Sequence, residues 1–270
     1  RVAAYRATLV DPLLAAPNDG RSSFVALPTA HEPLHLHLRT FSSRGGGAGT
    51  AVLGFHGIGA SALSFDALFA HLNRAVNVDL CALDRPGFGF TSRPNHIQYY
   101  SSQFLGGPAA MSALSGLPCG DAPILVAHSY GSIAAVLCAG HLAARCRGLV
   151  LIAPAIVADP GVRQGAALWA LALPILVALL AQLRRVLAAA LRLLAPVVSL
   201  LCILLLSDAR AWRLMLAAAF FEPRSVDQDL VTRYKQPERC RDWDHGLFRF
   251  ARAALLEHEQ VLDQMDRLVQ

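Results

Sequence analysis

The sequence has few charged residues for its length. Asp, Glu, Lys and Arg make up 16% of the 270 residues, compared with about 25% in typical soluble domains, so we expect part of the surface not to face water. The net charge is +5, but the basic residues, mostly arginines, are not grouped with aromatic residues as in a nucleic-acid-binding surface. We therefore expect a membrane or another acidic surface as a partner, and no nucleic acid.

Closely spaced cysteines are also absent. No two of the six cysteines have the spacing of metal ligands, and several lie in apolar stretches, which predicts free, buried thiols and neither a disulfide framework nor a metal site. We expect no cofactor. The cysteines are Cys81, Cys119, Cys138, Cys146, Cys202 and Cys240.

A signal-peptide pattern and internal repeats are missing as well. The chain begins at Arg1, and we interpret it as a fragment or a processed segment. Changes in composition along the chain indicate four regions. These are an irregular N-terminal segment (1–22), a core (23–154), a hydrophobic helical cap (155–241) and a helix that returns to the core (242–270).

Short apolar strands alternate with helix-like segments in the core region. This alternation predicts an α/β fold with a mostly parallel sheet flanked by helices. The segment 34–38 alternates strictly and predicts a half-buried edge strand, with His35 and His37 facing solvent. Ser61 is predicted to cap a helix. Buried strands are predicted at 50–55, 78–83, 124–127 and 149–153, and helices at 61–72, within 98–114 and at 130–142.

The most informative motif follows the third buried strand, where the sequence continues Ala127-His128-Ser129-Tyr130-Gly131 into a helix-like segment. A serine in a sharp strand-to-helix turn is typical of a nucleophile elbow, which requires small residues two positions away on each side. Ala127 and Gly131 meet this requirement. Ser129 is then the candidate nucleophile, and the Tyr130 N–H is a candidate oxyanion donor. The alternative is a serine that only caps a helix.

A glycine-rich loop, Phe55–Ser61, follows the first buried strand. Gly57 and Gly59 allow the backbone to turn sharply and to approach a ligand closely. We expect the Ile58 N–H to be the second oxyanion donor and His56 to orient the loop. The alternative is a turn that binds no ligand.

A second compact loop spans Asp84–Pro94. Its functional interpretation is a wall of the active-site cleft, with Phe88 facing the substrate. The alternative, which we favour, is a structural turn held by Asp84 and Arg85.

These three motifs resemble the α/β-hydrolase superfamily in order and spacing, and with the segment YKQPERCRDWDHGLFRF they are similar to a plant and algal branch of the AB-hydrolase-1 type. The resemblance covers 24–160 well and 225–265 loosely. It implies an α/β-hydrolase fold and a serine hydrolase of esterase or lipase type. It also makes an organelle such as the chloroplast a possible location. The implied substrate-binding residues are His56, Gly57, Gly59, His128 and Phe88.

The family order of catalytic residues is nucleophile, then acid, then histidine. Nothing in the chain fits the last two places, so we expect the acid and histidine beyond residue 270, and weak or no ester hydrolysis by these 270 residues alone. Asp159 is a poor substitute for the acid. We expect surface or packing roles for His141, His245 and His258. Epoxide and haloalkane hydrolases of this superfamily carry an aspartate where Ser129 stands, which disfavours those reactions.

Two apolar stretches, 166–181 and 193–206, dominate the cap. Each is shorter than the ~20 residues of a membrane-spanning helix. Helical spacing places four polar residues on one stripe, which is typical of a helix at a membrane surface. The stripe residues are Gln182, Arg185, Arg192 and Ser199.

Three arrangements of 166–206 are open: a membrane-dipping lid, a cap buried against the core, and a transmembrane hairpin. An apolar cap over an acyl-transfer site suggests a lipid ester as substrate. The alternative function is that of a non-catalytic, membrane-associated binding or scaffold protein.

Overall fold

The computed structural model describes residues 5–43, 49–117, 122–156 and 172–268. Within these ranges one six-stranded sheet has the order β1-β2-β4-β3-β5-β6. Strands β3 to β6 pair in parallel, while β2 pairs antiparallel with both β1 and β4. The strands are β1 (Ser22–Leu27), β2 (Leu34–Phe41), β3 (Thr50–Phe55), β4 (Val78–Leu83), β5 (Ile124–His128) and β6 (Gly148–Ile152).

Helices cover both faces of this sheet, which confirms the predicted α/β fold. They are α1 (Pro12–Ala15), α2 (Asp66–Ala75), α3 (102–115, with a π-helical segment Leu105–Ala109), α4 (Gly131–Leu142), α5 (Ala172–Leu193), α6 (Ala195–Leu206), α7 (Ala209–Ala219), α8 (Gln228–Lys235) and α9 (Trp243–Leu268). Residues of α3 and α4 pack on one side of the sheet, and residues of α2 on the other. Because both faces are covered, β4 is buried along its whole length.

Two local predictions differ from the structure. Asp11, in the segment predicted to be irregular, caps the short helix α1 by accepting a hydrogen bond from the Leu13 N–H. Ser61 stands at the start of a 3-10 turn, Ala62–Phe65, but its side chain makes no capping hydrogen bond. Ser61 is buried, and α2 begins only after that turn.

The prediction for the histidine-containing strand is wrong. Strand β2 is not an edge strand, because β1 covers its outer side. His37 is fully buried between the rings of Phe24 and Phe90, where part of a solvated face was expected. Its Nδ1 lies 2.7 Å from Asp84 Oδ2 and its Nε2 lies 3.1 Å from Ser22 Oγ.

The predicted stripe of polar cap residues is wrong at Ser199, while Gln182, Arg185 and Arg192 do share one exposed side of α5. Helix α5 ends at Leu193, and the axis of α6 is bent by 73° relative to it. Ser199 is buried and bonded to Arg6 and Asp244, so it does not share a surface with Arg185. In the described ranges no single helix is long and apolar enough to cross a membrane, although the bent pair passes that test when its two parts are combined.

The prediction of free cysteines is confirmed for the five that lie in the described ranges. Cys119 lies outside them. Burial raises the pKa of the Cys81 and Cys138 thiols to about 12, so these side chains act as small apolar groups in the core.

The buried carboxylate of Asp84 joins three parts of the fold. Its Oδ1 accepts from the Ala62 N–H at 2.6 Å, and its Oδ2 accepts from the Phe90 N–H at 2.8 Å and lies beside His37. It thereby ties β2, the glycine-rich loop and the 84–94 loop together at the carboxyl end of β4. Burial opposes ionisation, but His37 and the other partners keep the pKa of Asp84 below its usual range.

We predict that Asp84→Asn destabilises the protein by about 2–4 kcal/mol at pH 7. The amide cannot accept from all of these donors, and one polar group is left buried without a partner. Because the pKa of Asp84 is lowered by folding, the carboxylate stabilises the protein above about pH 4, and this contribution is lost as the pH falls. Urea unfolding at pH 7 and at about pH 3 measures both effects.

The matched control is Asp208→Asn. Asp208 is an exposed residue that caps α7, and asparagine caps a helix equally well. We expect this control to change stability by less than about 0.5 kcal/mol. An Asp84→Asn effect that is the same at both pH values would contradict the role of the charge.

Candidate active site

The turn between β5 and α4 holds Ser129 in a strained conformation. Its φ is 51°, in the left-handed region that non-glycine residues rarely adopt, at a cost of about 1–2 kcal/mol. Its N–H donates to the Ile152 carbonyl at 3.0 Å, and its own carbonyl accepts from the Ser132 and Ala155 N–H groups. Strand, turn and helix therefore meet at one serine, which is the geometry of a nucleophile elbow.

Two glycines allow the elbow to approach the glycine-rich loop closely. A Cβ atom on Gly131 would collide with the Phe55 carbonyl oxygen and lie 2.6 Å from that of His56. A Cβ atom on Gly57 would lie 2.9 Å from the Ser129 Cβ. The small residues at these positions are required by contact between the two segments, and Ala127 is fully buried beneath them.

Two backbone N–H groups at this junction have no acceptor in the described part of the chain. Among the described residues, neither the Ile58 N–H nor the Tyr130 N–H donates a backbone hydrogen bond. Ile58 is 59% exposed although it is apolar. Unpartnered N–H groups near a strained serine can hold the oxyanion of a tetrahedral intermediate.

Both ring nitrogens of His56 form hydrogen bonds with nearby backbone groups. Its Nε2 accepts from the Arg85 N–H at 3.0 Å, so its Nδ1 carries the proton and donates to the Gly57 carbonyl at 2.8 Å. Burial lowers the pKa of His56, against the opposing effect of Asp84. This histidine is therefore neutral and has no nitrogen free to take a proton from Ser129.

A buried arginine holds the residue after the elbow serine. The Arg85 guanidinium lies 5.1 Å from the Tyr130 ring centre and 5.3 Å from that of Phe250 on α9. It donates to the Tyr100 carbonyl at 3.1 Å and to Ser102 Oγ at 3.3 Å. Burial lowers the pKa of Arg85. The Tyr130 ring is thereby fixed between the Asp84–Pro94 loop and α9, a contact that no sequence pattern predicted.

The Asp84–Pro94 loop has the structural role that we favoured, and its role as a wall of an active-site cleft stays a prediction. Asp84 and Arg85 hold the turn, while Phe88 packs on Phe250 and lines a mostly apolar recess beneath the cap. The recess reaches Gly59 in the glycine-rich loop, and Ser129 is not among its lining residues. Its other principal walls are Trp212, Tyr234, Pro237, Trp243 and Leu247.

The described residues contain a serine–histidine–aspartate chain, but it does not include Ser129. It runs from Ser22 through His37 to Asp84, and Arg39 also donates to Ser22 Oγ at 3.2 Å. The strict alternation of apolar and polar residues in β2 drew attention to His37 but predicted that it faces solvent, whereas it is fully buried. The rings of Phe24 and Phe90 enclose it.

The other candidate residues are not brought to Ser129. His128 and His141 are exposed, and His245 is half-buried on α9. Asp159 and the side chain of His258 lie outside the described part of the chain. Among the described residues, no histidine or carboxylate forms a hydrogen bond with Ser129 Oγ. The structure thus brings together the serine and the two N–H groups, without a general base beside them.

Comparison with known proteins places these features in a family. The model of the alpha/beta hydrolase family matches residues 52–267. A probable hydrolytic enzyme from Pseudomonas aeruginosa has a TM-score of 0.56 at 20% identity, covering 90% of this chain and 67% of that chain. The Cif epoxide hydrolase from Acinetobacter nosocomialis has a TM-score of 0.61 at 13% identity, covering 99% and 76%. No curated protein matches the sequence significantly.

We predict that Gly131→Ala prevents the elbow from closing on the glycine-rich loop. The added methyl group meets two backbone carbonyl oxygens, which cannot move aside as a flexible side chain would. The expected loss is at least about 2 kcal/mol of unfolding free energy. Urea unfolding followed by circular dichroism measures it.

Gly116→Ala provides the control, because a methyl group there would lie 3.5 Å from its nearest neighbour, an ordinary contact. We expect that variant to stay within about 0.5 kcal/mol of the parent protein. Equal stabilities of the two variants would show that the close approach at Gly131 is not required.

Proposed function

Because the chain belongs to the alpha/beta hydrolase family, we propose that it is a serine hydrolase that cleaves an apolar acyl ester with Ser129 as nucleophile. Membership of this family supports a hydrolase in general. The finer assignment rests on one observation, the strained φ of Ser129 beside two unpartnered N–H groups. A serine that served only as a helix cap would need neither the strain nor the free donors.

In the proposed reaction, Ser129 Oγ attacks the ester carbonyl carbon and loses its proton to a general base. The Ile58 and Tyr130 N–H groups donate to the oxyanion, each contributing about 10²–10³-fold to the rate. The carbonyl re-forms as the alcohol leaves with a proton, giving an acyl-serine that water hydrolyses. We assign the base and its orienting acid to residues outside the described ranges, since His56 has no free nitrogen.

An apolar acyl group is favoured by the recess beneath the cap. Phe88, Trp212, Trp243 and Leu247 present apolar surface next to the loop that carries the Ile58 N–H. An acyl chain bound there would be removed from water, and the burial of apolar surface on the chain and on the recess would favour binding. Members of this family that open epoxides carry an aspartate at the elbow, whereas this chain has Ser129.

We predict that a fluorophosphonate probe labels Ser129 in the natural protein, because the oxyanion site that stabilises ester attack also stabilises attack on phosphorus. Ser129→Ala should abolish labelling and lower p-nitrophenyl ester hydrolysis by at least about 10⁴-fold. Mass spectrometry of the labelled peptide identifies the modified serine.

Ser22→Ala is the matched control, since Ser22 has a histidine–aspartate pair but that histidine is fully buried. It should leave labelling and turnover within about twofold of the parent once its stability is shown to be sufficient for the assay, because Ser22 forms no hydrogen bond with the described residues of the elbow. A modified Ser22, or ester hydrolysis that survives Ser129→Ala, would refute the assignment. A natural protein that is neither labelled nor active would support a non-catalytic, hydrolase-fold scaffold instead.

The apolar recess leads to a second prediction. Leu247→Trp fills part of it, so the ratio of kcat/KM for p-nitrophenyl octanoate to that for the acetate should fall about tenfold. Leu256→Trp is the control on the same helix, because Leu256 is exposed and does not line the recess. An unchanged ratio for Leu247→Trp would place the acyl chain elsewhere.

A further inference from the structure

Helices α5 and α6, which follow β6 in the chain, expose an unusual amount of apolar surface. On α5, on α6 and at Leu194 between them, twelve large aliphatic side chains are exposed, all on the side that faces away from the core. We call this surface the apolar cap face. It consists of Leu179, Leu180, Leu183, Val186, Leu187, Leu193, Leu194, Val197, Leu200, Leu201, Leu204 and Leu205. Contiguous apolar surface of this kind marks a site of interaction with a protein or a membrane.

The exposed residues form one continuous stripe on each helix. At 100° per residue, those from Leu179 to Leu194 fall within an arc of about 140°. On α6 the arc from Val197 to Leu205 is similarly wide, and the buried Ser199 and Ile203 lie opposite it. The apolar cap face is thus a regular surface and not a set of scattered leucines.

The inner side of the same helices is fixed to the fold. Ser199 is bonded to Asp244 on α9 and to Arg6. Ile203 packs with Leu9 and Trp243, and on α5 the Ala188 carbonyl accepts from Arg252 Nε at 3.2 Å. Because these contacts fix the inner side, the apolar cap face is directed outward, and nothing in the described ranges covers it.

The charge around this face has one sign. Residues 172–207 contain no Asp or Glu, and their basic residues are Arg184, Arg185 and Arg192. Helical spacing places Arg184 about 40° beyond one edge of the apolar arc on α5. Arg185 and Arg192 lie on the remaining side of the helix, are exposed and form no ion pair with any described residue. A helix with a leucine-rich arc and with arginines as its only charged residues matches the boundary between acyl chains and anionic headgroups.

We propose that the apolar cap face docks on an anionic lipid surface, with α5 and α6 lying in the plane of the interface. The 73° bend between the two helices suits a flat arrangement, and neither described helix crosses a membrane alone. A second copy fits less well, because a symmetric dimer through this face would bring two positively charged segments together, and residues 172–207 hold no acidic residue to pair with them. That this surface supplies a lipid ester to Ser129 rests on the proposed function, but the docking itself does not.

The test uses flotation of the natural protein with vesicles. We expect binding to vesicles of phosphatidylcholine and phosphatidylserine in a 7:3 ratio, and weaker binding to phosphatidylcholine alone. The double change Leu183→Asp and Leu204→Asp should lower the partition coefficient by at least about tenfold, because both side chains are more than half exposed on the apolar cap face. Changing Arg185 and Arg192 to glutamine should lower binding to the anionic vesicles by about fivefold per arginine.

Leu14→Asp is the matched control, since Leu14 is 80% exposed on α1, away from the apolar cap face. It should bind vesicles within about twofold of the parent protein. Ser129→Ala should float unchanged, which separates docking from catalysis. Equally, the leucine double variant should keep its activity on a soluble p-nitrophenyl ester if it fails only in docking.

Three results would overturn the proposal. Absence of flotation with anionic vesicles is the first. The second is a lipid-independent dimer, detected by light scattering, that the leucine double variant dissociates, since the face would then bind another copy. The third is resistance to extraction by alkaline carbonate, which would indicate a membrane-spanning segment.

Discussion

The candidate site depends on the buried hydrogen bonds of the Asp84 carboxylate. In the low dielectric of the interior an ionised carboxylate is tolerated only when donors surround it. Here the donors come from three segments: the Phe90 N–H from the same loop, and the Ala62 N–H and the His37 ring from segments 22 and 47 residues away. The glycine-rich loop therefore cannot move independently of β2 or of the 84–94 loop. The position of the Ile58 N–H follows from this single buried charge.

The elbow adds a second constraint, because its strain is stored against that fixed loop. Ser129 keeps a positive φ only while Gly131 lies against the Phe55 and His56 carbonyl groups. These carbonyls belong to the same segment that Asp84 holds through Ala62. The elbow and the Asp84 carboxylate thus both contact one short segment of the chain. The two unpartnered N–H groups are a consequence of that arrangement, since neither segment can relax to satisfy them.

Sequence reasoning succeeded where the determinants are local. The apolar runs of β3 and β4 and the small residues around Ser129 are set by neighbours in the chain, and they were predicted within one residue of their observed bounds. It failed at His37, because alternation shows which residues share a face but not whether another element covers that face. It failed at Ser199 for a related reason. Helical spacing places residues on both sides of Leu194 on one face only if the helix stays straight, and the chain bends there. The packing of Tyr130 against Phe250 joins residues 120 positions apart, and no local pattern encodes it.

Helix α9 connects the cap to the elbow, and its geometry determines how the two communicate. Asp244 near its start bonds to Ser199 of α6, and Arg252 donates to the Ala188 carbonyl of α5. Phe250 lies between these two attachment points and packs edge-on against the Tyr130 ring at 5.3 Å. At 1.5 Å per residue, Asp244 and Phe250 are only about 9 Å apart along one helix. A shift of the cap helices would therefore be transmitted to Tyr130, because the apolar cap face and the residue after the elbow serine are both attached to α9.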